Sequence, residues 1–141
     1  MFNPSRDEAR RFLIDAWSKS RARAPLTGLE QMAAGIIALH PEYHAILEDP
    51  ERSLDRDWQP EHGDVNPFLH LSLHLAVAEQ LSIDQPAGIR AEYDRLRMAK
   101  DDEHAALHAV LECLAEVIWN AQRHGTAPDA ALYLACLARQ R

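Results

Sequence analysis

Cysteine is nearly absent from this 141-residue chain; Cys113 and Cys136 are the only two. They form no CxxC, so neither a disulfide framework nor a thiolate zinc site is expected. Two buried thiols in a reduced, cytoplasmic chain fit this usage best. Glycine is also sparse, with 5 residues. There is no glycine-rich phosphate loop, no G-x-S-x-G elbow and no H-E-x-x-H zinc motif. Aromatic residues make up 6%, and Trp17, Trp58 and Trp119 are expected in helix packing rather than on a base-stacking platform. No apolar run approaches the roughly 20 residues of a membrane span. The start, Met1-Phe2-Asn3-Pro4-Ser5-Arg6, has no apolar stretch of the signal-peptide kind. An excess of positive charge is missing too. The net charge of −7 and pI near 5.5 argue against a general nucleic-acid binder and suit a soluble chain. The local exception is Arg6, Arg10, Arg11, Lys19, Arg21 and Arg23. Asp7, Glu8 and Asp15 dilute that run, which reads as a solvated helix face in preference to a phosphate patch.

What the sequence does contain is helix punctuation. Ser5-Arg6-Asp7-Glu8 and Thr27-Gly28-Leu29-Glu30 both have capping-box form. Asn66-Pro67 is an N-cap followed by proline at the first helical position. Asp101 or Asp102 can cap the next long helix, Gly125 can end it, and Thr126 can cap the last. These signals divide the chain into helices at about 5–20, 28–48, 67–82, 87–98, 102–123 and 128–139, with boundaries good to roughly 2–4 residues. No strand-like alternation is present. The expected fold is all-α, a compact bundle of about six helices in a single domain, 1–141, with a long loop at 49–66. Pro41 interrupts the second helix, so either a kink or a new helix starts there, with His40 near its cap.

Histidine is the residue in excess. Among 8 histidines, three pairs stand four apart: His40/His44, His70/His74 and His104/His108. Chance predicts only about 0.4 pairs at this spacing. Residues four apart share one helix face, so each pair can aim two imidazoles at one point. On a helical wheel, His70 and His74 fall inside an apolar stripe with Leu73, Val77 and Leu81, while Glu79 lies opposite. His104, His108 and Glu112 run down the edge of another apolar face, with Glu116 drifting toward solvent. His40, His44 and Glu48 repeat that row. A buried imidazole needs partners for both ring nitrogens. A metal ion takes one of them and leaves the other to donate to a carbonyl or carboxylate. The candidate ligands are therefore His40, His44, His70, His74, His104, His108 and Glu112, with Glu48 and Glu116 as ligands or orienting groups. His62 and His124 read as surface residues. Nitrogen and oxygen donors without thiolate suit zinc, iron, nickel or manganese, and no organic cofactor is indicated.

Several runs resemble a known family when taken together: Leu39-His40-Pro41-Glu42-Tyr43-His44, Asn66-Pro67-Phe68-Leu69-His70-Leu71-Ser72-Leu73-His74-Leu75, Glu79-Gln80-Leu81-Ser82-Ile83-Asp84-Gln85-Pro86 and Glu112-Cys113-Leu114-Ala115-Glu116. With the opening Met1 to Arg6, they resemble the short bacterial proteins catalogued as domain of unknown function 1841, over essentially the whole chain. That resemblance implies a bacterial domain and brings no activity, substrate or catalytic residue with it. The H-x3-H and H-x3-E spacings are more distantly similar to hemerythrin-like metal-binding bundles. The absence of H-x4-D on the last helix and the proline inside one pair depart from that pattern, so no ligand is assigned by it. The expected function is a metal-binding helical bundle in the cytoplasm, with no nucleic-acid or membrane partner. The alternatives are a non-catalytic interaction module, homodimeric through an apolar last helix, and an acid-sensitive switch built on clustered histidines.

Overall fold

A computed structural model describes residues 4–58 and 66–141 of the chain. Among the described residues every regular element is helical. The chain divides into two units, Met1–Leu75 and Ala76–Arg141. Residues 59–65, with His62 and much of the expected long loop, lie outside the described residues.

The first unit starts with α1 (Pro4–Arg21), which begins near the expected cap and buries Arg10, Leu13, Ile14 and Ala16 on one face. Against it packs α2 (Gly28–Ala38). The predicted capping box is present in full: Glu30 N–H donates to Thr27 Oγ1 at 3.2 Å, and Thr27 N–H donates to Glu30 Oε1 at 2.9 Å. Lys19 Nζ, from α1, reaches the other Glu30 oxygen at 2.8 Å. Leu13, Ile37, Leu47, Phe68 and Leu71 form the centre of this unit's core. Each such side chain contributes about 1.5–3 kcal/mol when removed from water.

The expected break at Pro41 is real. α2 stops at Ala38, His40 takes φ −124° and ψ 65°, and a 3-10 turn runs from Pro41 to Tyr43. Proline lacks the N–H an uninterrupted helix needs there and suits the first position of a new turn. The chain then makes two short helices, α3 (His44–Leu47) and α4 (Pro50–Ser53). The 49–66 stretch is therefore structured at its start. Ser53 Oγ donates to Ile46 O at 2.6 Å, which ties α4 back to α3.

α5 (Pro67–Ile83) starts as the sequence indicates: Asn66 Oδ1 accepts from Leu69 N–H at 3.1 Å. Phe68, Leu71, His74, Val77 and Leu81 are its buried stripe, at steps of three and four. Glu79 is exposed, as the wheel predicts. The division between the units falls within this helix.

The second unit continues through α6 (Ile89–Lys100), α7 (Glu103–His124) and α8 (Ala130–Arg139). Asp84 ends the preceding turn, its carboxylate accepting from Arg90 N–H at 2.9 Å and from Gly88 N–H at 3.2 Å. These backbone donors, Arg90 first, hold the Asp84 carboxyl below its ordinary pKa. Asp102 caps α7 by accepting from His104 and Ala105 N–H. Gly125 ends that helix at φ +64°, a left-handed conformation that disfavours a side chain. The cap of α8 is Asp129, which accepts from Ala131 and Leu132 N–H, and not the expected Thr126. An aspartate adjacent to the first helical turn wins because its carboxylate reaches both orphan donors and complements the helix dipole.

Two expectations are overturned here. Cys113 on α7 and Cys136 on α8 are joined in a disulfide, with Cα atoms 5.7 Å apart. Both are buried as expected, but neither is a free thiol. The pairing comes from α8 folding back on α7, which short sequence motifs do not report. Cysteine usage thus no longer speaks for a reducing compartment. Trp119, expected in packing, is 56% exposed, with the Arg123 guanidinium 4.9 Å from its ring centroid. No helix among the described residues is long and apolar enough to cross a membrane.

Candidate metal centre

The histidines of the first unit gather around the break at Pro41. His40 is 2% exposed, and its Nδ1 lies 2.8 Å from Ile36 O. A carbonyl only accepts, so Nδ1 carries a proton, and a neutral ring then has its lone pair on Nε2, the tautomer a metal ligand requires. His74, one turn beyond Leu71 on α5, is equally buried. Its ring meets His40 edge-on with centroids 4.7 Å apart. The two residues offer ring nitrogens within 4.8 Å of each other.

His70, half-buried, packs edge-on against both rings, with centroids 5.1 Å from His40 and 4.8 Å from His74. His44 turns elsewhere. Its Nε2 donates to Ile37 O at 2.8 Å, and its ring lies 4.4 Å from Trp17. Glu48, next on the same row, is engaged by Trp17 Nε1 at 3.0 Å and by Arg21 at 3.5 Å. The break at Pro41 explains this separation: four-residue spacing puts two side chains on one face only where the helix is continuous.

Tyr43 is a neighbour of this cluster that the histidine pattern does not reveal. Its ring is parallel to His40 at 5.6 Å and edge-on to His70 at 6.0 Å. Burial, with the nearby Glu42 carboxylate second, pushes its phenol pKa up. The signal available in sequence is its position three residues after His40.

In the second unit the pairing is direct. His104 and His108 sit half-buried on the first turns of α7, with Nε2 atoms 2.8 Å apart and rings nearly perpendicular at 74°. Two lone pairs at that distance repel, so the contact holds either a shared proton or a cation. Glu112, the next residue in the row, is exposed, as is Glu116. His124 is exposed at the end of α7, its Nδ1 2.9 Å from Asn120 O. Four histidines thus present ring nitrogens at ligand spacing within their own units: His40 with His74, and His104 with His108. An imidazole ligand that donates its second nitrogen to a carbonyl, as His40 does, is oriented in the way metal sites use.

The chain belongs to the family described as domain of unknown function 1841 (DUF1841), whose model matches residues 5–139. No curated protein and no solved structure matches it.

Proposed function

We propose that this chain is a metal-binding helical protein, with His40, His74, His104 and His108 as its ligands. The observation that carries the reading is the 2.8 Å approach of His104 Nε2 to His108 Nε2. At that separation both imidazoles can turn toward one ion, and nitrogen donors without thiolate suit zinc, iron, nickel or manganese. The protonated Nδ1 of His40 supports the same assignment in the first unit. An ion held by imidazoles with open positions would polarise a bound oxygen or acidify a bound water. No substrate is assigned.

A second reading has its own support. The hydrogen bonds of His40 and His44 to Ile36 and Ile37 carbonyls are also what a buried polar layer in an interaction module would make. The experiment that separates the two is elemental analysis by mass spectrometry. It uses tag-free protein purified without chelator or nickel resin, with the His40→Ala/His74→Ala and His104→Ala/His108→Ala variants alongside. Near-stoichiometric transition metal in the wild type, reduced in both folded variants, is the expected result. Metal-free wild type that gains no thermal stability from iron, nickel, manganese or zinc overturns the metal reading and leaves the module.

A further inference from the structure

The basic run of α1 holds a second feature, independent of the histidines. Arg10 is only 4% exposed. Its Nη1 donates to three backbone carbonyls, Ser53 at 3.1 Å, Leu54 at 2.8 Å and Arg56 at 2.9 Å. The guanidinium carbon lies 5.2 Å from the Trp58 ring centroid and 5.0 Å from that of Phe68. All these partners are neutral. Among the described residues no carboxylate pairs with Arg10, and Asp57, Asp7 and Asp55 act on it only through space. The Asp57 carboxylate instead forms an ion pair with Arg6 at 2.9 Å. Burial first, then repulsion by Arg6, pushes the Arg10 pKa down. A cation taken out of water ordinarily has an anion beside it, because neutral acceptors repay the lost hydration only in part.

Beside this guanidinium opens a cavity of about 500 Å³, within the ordinary range for small-molecule sites. Arg6 and Arg10 supply its positive charge, Trp58 and Phe68 its aromatic wall, and Ser72 a hydroxyl. We propose that this cavity binds a small organic monocarboxylate with a flat apolar body. The carboxylate supplies the charge that Arg10 lacks among the described residues, and the aromatic wall takes the body.

The test uses the full chain with 2-naphthoate as fluorescent probe and 2-naphthamide as its neutral counterpart. One saturable site per chain is expected, with the carboxylate at least about tenfold tighter than the amide, as a charge-assisted bond requires. Ser72→Trp fills the cavity and is expected to abolish binding in protein whose circular dichroism is unchanged. Leu69→Trp, on the same cavity lining, replaces it should that variant not fold. Equal affinity for acid and amide overturns the proposal, as does binding that survives the filling variant. No binding of 2-naphthoate at millimolar concentration overturns it equally.

Discussion

Each histidine's role is set by what its second nitrogen touches. His40 spends Nδ1 on the Ile36 carbonyl with its ring packed among His70, His74 and Tyr43, whereas His44 spends Nε2 on the Ile37 carbonyl while its ring covers Trp17. The two residues share one sequence motif and part company at the break between them. His44→Ala is therefore expected to leave metal content unchanged while lowering unfolding free energy by about 1–2 kcal/mol, the sum of a hydrogen bond and an aromatic contact. Urea melts and elemental analysis of the same preparation check it. A fall in metal content would make His44 a ligand. The spacing rule was legible in sequence, and it places His104 and His108 face to face because α7 is continuous there. What sequence could not show is the direction of each ring, which depends on carbonyls brought near by the backbone break.

At the scale of elements, the ends were more legible than the joins. Thr27, Asn66, Asp102 and Gly125 act where local chemistry says they should, since a cap satisfies donors within its own turn. Asp129 displaced Thr126 because both are good caps and only the turn geometry chooses. The disulfide and the carbonyl cradle around Arg10 were invisible, being made by residues brought together from distant positions. One join carries a pH dependence. The Glu30 carboxyl is held below its ordinary pKa, first by the Lys19 hydrogen bond and then by Thr27 N–H. A depressed carboxyl contributes stability that is complete above the ordinary glutamate range and is lost as pH falls through the depressed value. Lys19, raised by the same contact, contributes stability that disappears only as pH rises through its raised value. Glu30→Gln is expected to flatten the acidic limb of the stability profile and leave the neutral region less stable. Thermal melts across that range check it, and an unchanged acidic limb would mean that the α1–α2 join does not titrate.

For the molecule as a whole, the second unit has a covalent tie that the described part of the first does not show. Its loop of some two dozen residues restricts the unfolded chain, an effect of about 3 kcal/mol on the entropic account. Cys113→Ala with Cys136→Ala is expected to lower the denaturant midpoint accordingly, with reduced wild type matching the variant. If reduction leaves the midpoint in place, the unit is held by its apolar core alone. All-α architecture was legible at this scale because the apolar periodicity and the caps agree along the chain. The division into two units was not, since it falls inside α5, where the sequence continues one helical pattern without interruption.

The disulfide also changes what a cut in the chain means. The turn between α7 and α8, Gly125 to Asp129, is exposed along its length and offers proteases a natural target. Cleavage there falls inside the ring closed by Cys113 and Cys136. The two fragments would remain one molecule of nearly unchanged mass, still carrying His104 and His108, until a thiol reagent releases α8. A nick at this turn is a latent cut, and reduction makes it a separation.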